Sequence, residues 1–175
     1  FDREVERLQD KYGRFLLVNT SSTLAIHPRG QDFLFERWRK GEEEEKGWRY
    51  ERVKIWAQHT RQLANFVEVL HRVQADFPDL TILLRPHPNE QHSFYQRAFE
   101  GLDNVKVVHE GPAGPWIVAA AALLQEGCTT AVEAYLADTP VITFDSTRTP
   151  ESRQRVPKLI GVKCQTSKEV SNAVA

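Results

Sequence analysis

Two apolar segments of this chain stop abruptly at polar residues, and a helical pattern follows each of them. Residues 80–84 (LTILL) are followed by RPHPN at 85–89, and residues 121–124 (AALL) are followed by QEGCTT at 125–130. Apolar runs of this length predict buried strands, so both polar clusters are expected at strand carboxyl ends. In an open α/β sheet, ligands bind along that edge.

Strand and helix patterns alternate along the whole chain over short connections. Such alternation specifies a parallel sheet with helices on both faces. We therefore predict an α/β fold, a Rossmann-like doubly wound parallel sheet of about five or six strands. The predicted strands are residues 15–18, 80–84, 105–108, 121–124 and 141–144, and the predicted helices are residues 1–12, 53–77, 90–100, 112–119 and 129–137.

The chain has 175 residues, of which 41% are hydrophobic, and this suits one core and therefore one domain over residues 1–175. Residues 32–51 are predicted to be a charged, exposed insertion. The chain contains no Met, and Thr166 and Glu169 form a capping box that opens a helix close to its end. We expect a fragment of a larger two-domain protein.

Composition excludes several classes of function. Lys and Arg number 23 against 24 Asp and Glu, so the net charge of −1 gives no general attraction to nucleic acid or to anionic membranes. The longest apolar run, residues 116–124, is about half of a membrane span, and no signal peptide opens the chain. Cys128 and Cys164 lack metal-ligand spacing, so we expect reduced thiols, a cytoplasmic location and no metal site.

The cluster after the second apolar segment is suited to an anion. Thr129 and Thr130 open a predicted helix, whose first N–H groups are unpaired and whose dipole favours negative charge. Gly127 lets the backbone come close to a ligand, and the two hydroxyls add donors. Alternatively, Thr129 only caps the helix with help from Glu133, and both interpretations can hold together.

The cluster after the first apolar segment contains a histidine whose orientation is restricted by two prolines. His87 lies between Pro86 and Pro88, whose fixed φ angles restrict the loop. Its imidazole or its backbone N–H could hold a phosphate, with Arg85 adding charge and Asn89 nearby. The alternative is a histidine that only stabilises a turn.

Other predicted strand ends supply further candidates at the same edge. Asn19 and Thr20 follow the first strand, in a loop that either faces a ligand or forms an ordinary turn. The third strand delivers a group of candidates for contacts with a base or a ribose. That group, with the tryptophan of the following segment, is His109, Glu110, Gly111 and Trp116.

Several well-known motifs are absent from the sequence. There is no Walker loop, no G-x-G-x-x-G, no G-x-S-x-G elbow and no H-E-x-x-H. P-loop hydrolysis, classical dinucleotide binding, ester hydrolysis and zinc proteolysis therefore lose support. A D-x-D motif is also missing, which favours chemistry without a metal.

Segments along nearly the whole chain resemble the bacterial surface carbohydrate biosynthesis proteins. These segments are FLLVNT, LLRPHPNE, SFYQRAF, VVHEGPAGPWIVAAAALLQEGCTTAVEA and TPVITF. A His-Pro pair followed by paired hydroxyls before a helix is also similar to bacterial sialyltransferases, Kdo transferases of capsule synthesis and CDP-glycerol polymer synthases. All of these have a GT-B architecture.

The resemblance implies roles for individual residues. In those families both motifs lie in the C-terminal Rossmann-like domain and hold the phosphate of the donor nucleotide. His87 and Pro88 match the first motif, and His87 would be the catalytic residue that stabilises the leaving nucleotide's charge. Thr129 and Thr130 match the second motif, although the families have Ser-Ser or Ser-Thr there. Glu133 matches a carboxylate that often contacts a ribose in nucleotide-sugar-binding domains. The alternative is that Glu133 is a buried residue with a structural role.

The expected function is donor binding in a metal-independent GT-B glycosyltransferase of surface polysaccharide synthesis. The nucleotide-sugar donor, CMP-linked among other candidates, is a substrate, and no cofactor is expected. A missing N-terminal domain would supply the acidic base and bind a saccharide or lipid-linked acceptor. The isolated domain should then bind but not transfer, and the full-length protein could associate peripherally with the inner membrane.

Three alternatives remain open at this point. The domain could belong to a CDP-polyol phosphotransferase or to a nucleotide-sugar epimerase that shares this half. It could also be a non-catalytic module of a polysaccharide assembly complex. The choice of donor separates the two enzymes, because the first would bind CDP-glycerol and the second a UDP-sugar, whereas the module would bind no nucleotide.

Overall fold

A six-stranded sheet forms the centre of the computed structural model, which describes residues 1–36, 47–147 and 156–175. Short 3-10 turns cover Gln31–Phe35 and Val156–Leu159. The strands are β1 (Phe15–Asn19), β2 (Thr81–Arg85), β3 (Val105–Val107), β4 (Ala122–Gln125), β5 (Val141–Phe144) and β6 (Val162–Cys164). The α-helices are α1 (Asp2–Tyr12), α2 (Trp48–Asp76), α3 (His92–Ala98), α4 (Ala113–Ala119), α5 (Thr130–Leu136) and α6 (Ser167–Val174).

All neighbouring strands are parallel, and their order is β3-β2-β1-β4-β5-β6. The predicted Rossmann-like doubly wound sheet is therefore confirmed. The strand order reverses between β1 and β4, and in doubly wound sheets the ligand crevice opens at this switch point, outside the strand carboxyl ends. Asn19 at the end of β1 is in register with Arg85 of β2 and Gln125 of β4.

Two hydrophobic clusters lie on opposite faces of the sheet, because successive side chains of a strand point to opposite sides. Leu16 and Val18 of β1 join the cluster under α2, α3 and α6, which we call the α2 face. Phe15 and Leu17 join the cluster under α1, α4 and α5, which we call the α4 face. Both faces of the strands are thus buried, as is usual for parallel sheets.

Some element boundaries differ from those predicted. The long helix begins at Trp48, so the last residues of the predicted insertion are helical, while residues 37–46 of that insertion lie outside the described residues. Residues 148–155, after β5, are not described either. The α3 helix begins at His92 and not at Glu90. This shift leaves Glu90 in the loop before the helix.

The last strand and helix depend on two local features. Gly161 has φ +78°, and a Cβ there would lie 2.0 Å from the carbonyl oxygen of Val141. Only glycine lets β6 approach β5 at this point. The predicted capping box of α6 is confirmed, since Thr166 Oγ1 accepts the Glu169 N–H at 3.2 Å and Glu169 Oε2 accepts the Thr166 N–H at 3.2 Å.

The two cysteines are free thiols, with Cys164 buried and Cys128 half-buried. Burial raises the pKa of the Cys164 thiol. Within the described ranges, no helix combines the length and the hydrophobicity that crossing a bilayer requires.

Candidate functional site

Three loops meet at the switch point, where β1, β2 and β4 end. The β1 loop covers residues 20–23, the β2 loop residues 86–91 and the β4 loop residues 126–129. Two buried carboxylates and one pair of polar side chains hold these loops together. All of these contacts join residues that are far apart in the sequence.

The first carboxylate is Glu90, which is 2% exposed and lies in the β2 loop. Its Oε2 accepts the Thr20 hydroxyl at 2.5 Å and the Tyr95 hydroxyl at 2.9 Å, and its Oε1 accepts the Ser22 N–H. Burial raises the pKa of Glu90, although these three donors oppose the shift. The Thr20 side chain, predicted as a ligand contact, thus donates to Glu90 and is itself buried.

The second carboxylate is Glu126, which follows β4 and is also 2% exposed. Its Oε1 accepts the Ser21 N–H at 2.9 Å and the Ser22 hydroxyl at 2.6 Å. Among the residues that the structure describes, its Oε2 has no hydrogen-bond partner, which is unusual for a buried polar atom. Burial raises the pKa of Glu126, and the negative charge of Glu90 raises it further.

Sequence reasoning did not identify Glu90 and Glu126 as site residues. The sequence pattern predicts Glu90 as the first residue of a helix and Glu126 as the residue before an anion-binding loop. A signal was present in both cases, because each carboxylate lies within a few residues of the end of an apolar strand, where burial is expected. The partners of the carboxylates, in contrast, have no signal in the sequence.

His87 stabilises the turn of the β2 loop, as one of its two interpretations predicted. Its Nδ1 accepts the Asn89 N–H at 3.1 Å and lies 3.5 Å from Thr23 Oγ1. Because Nδ1 accepts a backbone N–H, a neutral ring carries its proton on Nε2. His87 Nε2 has no hydrogen-bond partner within the described residues, so its N–H is free to donate.

Two further histidines hold the backbone of this loop. His92 Nε2 lies 3.2 Å from the carbonyl oxygen of His87, and the His92 and His109 rings meet edge to face with centroids 4.7 Å apart. Burial lowers the pKa of His109, and the nearby charges of His92 and Arg85 add to that effect. Pro88 and Asn89 are exposed at the tip of the loop.

Four predicted site residues form one group on the α4 face. The Arg85 guanidinium donates to the carbonyl oxygens of Glu110 at 2.7 Å and Gly111 at 2.5 Å. It also lies 5.7 Å from the ring centroid of Trp116, whose Nε1 donates to the same Glu110 carbonyl at 3.0 Å. The Trp116 ring is 1% exposed and packs in the core, so this group ties β2 to the loop after β3.

The β4 loop is shaped by Gln125, which is fully buried. Its Oε1 accepts the N–H groups of Gly127 at 2.5 Å and Cys128 at 2.8 Å, and its Nε2 donates to Thr143 Oγ1 at 2.6 Å and to the Pro157 carbonyl at 2.9 Å. The first two N–H groups of the predicted anion loop are thus occupied. Sequence reasoning missed Gln125 as well.

The paired threonines have different surroundings. Thr129 precedes α5 but makes no side-chain cap hydrogen bond, so the capping alternative is wrong. Thr129 is exposed at the loop. Thr130 Oγ1 accepts the Asn19 side-chain N–H at 2.9 Å, which joins β1 to α5 across the switch point. Glu133, one turn further, is exposed on α5.

A cation lies against the same loop. The Lys158 side chain packs on Gly127, where a Cβ would be 3.2 Å from Lys158 Cε, and its Nζ is 3.1 Å from Asp145 Oδ1. Gly127 has φ +124°, a conformation that favours glycine. Within the described parts of the chain, no three His, Cys, Asp or Glu side chains are grouped as metal ligands.

A cavity of about 320 Å³ lies elsewhere, at the amino edge of the sheet. Residues such as Leu16, Phe77, Leu80 and Val174 line it. Its position at the opposite ends of the strands, and its mostly apolar lining, do not suit a phosphate-bearing ligand. The carboxyl edge remains the better candidate.

Comparison with known proteins adds to this picture through structure alone, since no protein-family model and no curated protein matches the chain. The fold is similar to the UDP-GlcNAc 2-epimerase of Methanocaldococcus jannaschii in complex with UDP-GlcNAc and UDP, with a TM-score of 0.56 and 12% identity over 99% of this chain and 41% of the epimerase. It is also similar to MnaA of S. aureus in its structure with UDP, with a TM-score of 0.51 and 16% identity over 95% of this chain and 37% of MnaA.

A third similarity is to a GtfA/B complex, with a TM-score of 0.47 and 11% identity over 93% of this chain and 29% of that chain. Identities this low show the fold and nothing more. The chain spans about two fifths of the two UDP-bound proteins. Its α/β fold therefore resembles a GT-B half domain, as the resemblance to the surface carbohydrate biosynthesis proteins implies.

Proposed function

We propose that this chain is the donor-binding half of a GT-B glycosyltransferase that uses a nucleotide-activated sugar in bacterial surface polysaccharide synthesis. The observation that carries the proposal is the convergence of the β1, β2 and β4 loops at the switch point of a doubly wound sheet. The buried hydrogen bonds of Glu90 and Glu126, together with the Asn19–Thr130 bond, hold these loops in place.

The donor phosphate would lie between the β2 loop and the start of α5. His87 offers its Nε2–H there, and Thr129, an exposed residue, offers its hydroxyl. The Ala131 and Val132 N–H groups already donate to the carbonyl oxygens of Cys128 and Thr129, at 3.1 and 3.0 Å, and the amino end of the α5 dipole adds partial positive charge. These fixed donors would stabilise the negative charge that develops on the leaving nucleotide.

The bound sugar nucleotide would need a second domain for transfer. The general base and the acceptor site would come from that domain, and the acceptor would be a saccharide or a lipid-linked saccharide. The chain spans only 41% and 37% of the UDP-bound proteins of similar fold, which is in keeping with one half of a two-domain enzyme. We expect the chain alone to bind donor and not to transfer sugar.

The test is calorimetric titration of the chain with CMP, CDP, UDP and GDP. His87→Ala should weaken the binding of the preferred nucleotide by about 1.5–3 kcal/mol, because a charge-assisted hydrogen bond is lost. His71→Ala is the matched control, since His71 contacts the carbonyl oxygen of Ala98 at the far end of α3. Binding that is equal in all three proteins would remove His87 from the site.

A nucleotide-sugar epimerase half is the second candidate. It is favoured by the similarity of fold to the UDP-GlcNAc 2-epimerase and to MnaA, both of which have structures with UDP. Preference for UDP in the titration would favour it, whereas preference for CMP would favour a glycosyltransferase with a CMP-linked donor. Selective binding of CDP-glycerol would indicate the polyol phosphotransferase, and no binding at millimolar levels would favour the non-catalytic module.

A further inference from the structure

Lys158 occupies an unusual position beside the candidate phosphate loop. It lies on the 3-10 turn Val156–Leu159, and its aliphatic stem covers the side of Gly127 on which other residues carry a Cβ. A Cβ at position 127 would be 3.2 Å from Lys158 Cε and 3.5 Å from Cγ. The ammonium group is one bond beyond Cε, so it is held at the edge of the loop.

The ammonium pairs with a carboxylate beside the loop. Its partner Asp145 follows β5, and the side chains of Lys158 and Asp145 are 15% and 16% exposed. An ion pair that is mostly buried gives little net stability, because both ions lose hydration. The pair is therefore better explained by a requirement for a cation at this place than by stabilisation of the fold.

The charge of Lys158 reaches the α2 side of the crevice as well. Burial lowers the pKa of His59 on α2, and the charge of Lys158 lowers it further. The same charge also lowers the pKa of Glu126. Lys158 thus lies where α2, the β4 loop and the end of β5 come together. A lysine ammonium is a compact point charge that contacts phosphate oxygens without fixed geometry.

We propose that Lys158 binds the diphosphate of a nucleoside diphosphate ligand over Gly127, and that it gives the site its preference for nucleoside diphosphates over monophosphates. The proposal rests on the nucleotide-binding function proposed above. His87 and Thr129 would hold one phosphate at the start of α5. Lys158 would contact the other phosphate from the β5 side, and Asp145 would compete with the ligand for the ammonium.

The test measures the affinities of UDP and UMP, with CDP and CMP in parallel, for the chain and three variants. Lys158→Gln should lower diphosphate affinity about tenfold and leave monophosphate affinity within about twofold, since one charge-assisted contact is lost. Asp145→Asn should raise diphosphate affinity, because the competing carboxylate is removed. Lys168→Gln, an exposed change of equal charge on α6, should have no effect.

Lys158→Arg separates binding from folding. It keeps the charge and should retain most of the preference for diphosphate, and thermal unfolding of each variant shows whether it is folded. If Lys158→Gln is folded and changes both affinities equally, or neither, the role of Lys158 is wrong while nucleotide binding stands. If the unaltered chain binds none of the four nucleotides, both proposals are overturned.

Discussion

At the carboxyl edge of the sheet, different kinds of side chain connect the loops on the two faces. On the α2 face, the loops are joined by carboxylates, since Glu90 and Glu126 accept hydrogen bonds from the β1 loop. On the α4 face, they are joined by amides and a guanidinium, through Gln125, Asn19 and Arg85. One face therefore depends on carboxylate protonation and the other does not.

The difference follows from the alternation of side chains along the strands. Thr20 and Glu126 each lie one residue beyond Asn19 and Gln125, and so they point to the opposite face. The pKa values of Glu90 and Glu126 are raised by burial, whereas amides do not titrate. A change of pH should therefore alter the hydrogen bonds that hold the loops on the α2 face and leave those on the α4 face unchanged. The following variants test that contrast.

Gln125→Ala should have the largest effect. The change leaves the Gly127 and Cys128 N–H groups and the Thr143 hydroxyl without their buried partner, and we expect a loss of about 3 kcal/mol in the free energy of unfolding. The loss should be the same at pH 5 and pH 8, because no titrating group is removed. Urea denaturation measures it, and Gln96→Ala, exposed on α3, should change stability by less than about 0.5 kcal/mol. A loss that varied with pH would break the contrast between the faces.

Tyr95→Phe tests the α2 face at nearly constant shape. Tyr95 is fully buried and donates to Glu90 Oε2 at 2.9 Å, so removal of its hydroxyl should cost about 2 kcal/mol at pH 7. The cost should shrink at low pH, since a hydrogen bond to a protonated carboxyl is weaker than one to a carboxylate. Tyr135→Phe, at a position 67% exposed on α5, is the control for chemical denaturation. An equal cost at both pH values would mean that Glu90 does not ionise in the folded chain.

Much of the fold could be predicted because each central strand is a short apolar run bounded by turn residues. The order of helices and strands then left a parallel sheet as the natural solution. The strand β6 was missed because Val162–Cys164 is three residues long and only Cys164 is buried. Its place in the sheet depends on Gly161 and its contact with β5, which no local pattern shows.

The site could be predicted only as a location. The strand ends correctly placed His87, Gly127 and the paired threonines at one edge, but the partners of those loops could not be inferred. Glu126 meets Ser22 across 104 residues, and Glu90 meets Thr20 across 70 residues. A sequence shows that a residue follows a strand. It does not show which face of the sheet the side chain lies on, because a shift of one residue in the strand register moves every side chain to the other face.

Glu126→Gln should remove part of the pH dependence. Burial raises the folded-state pKa of Glu126 above its ordinary value of 4.5, so its favourable contribution is fully present below about pH 4.5 and is lost as pH rises through the folded pKa. The free energy of unfolding should fall over that window by about 1.4 kcal/mol per unit of pKa difference. The variant should show a shallower fall, with the remainder due to Glu90. Glu133→Gln, exposed on α5, should leave the profile unchanged, and an unaltered profile in Glu126→Gln would show that Glu126 does not titrate in this range.

Thr130→Val should have the smallest effect and completes the contrast. Valine keeps the shape of threonine but cannot accept the Asn19 side-chain N–H, and Asn19 Oδ1 already has no partner in the described parts of the chain. We expect a loss of about 1 kcal/mol that is independent of pH, because no ionisable group takes part. Thr129→Ala is the matched control, since Thr129 makes no cap hydrogen bond and should change stability by less than about 0.5 kcal/mol. If nucleotide affinity falls in Thr129→Ala while stability falls in Thr130→Val, Thr129 binds the ligand and Thr130 stabilises the fold, a distinction that the sequence alone could not make. The reverse result would place the ligand on the Asn19 side of the crevice and the structural hydrogen bond at the start of α5.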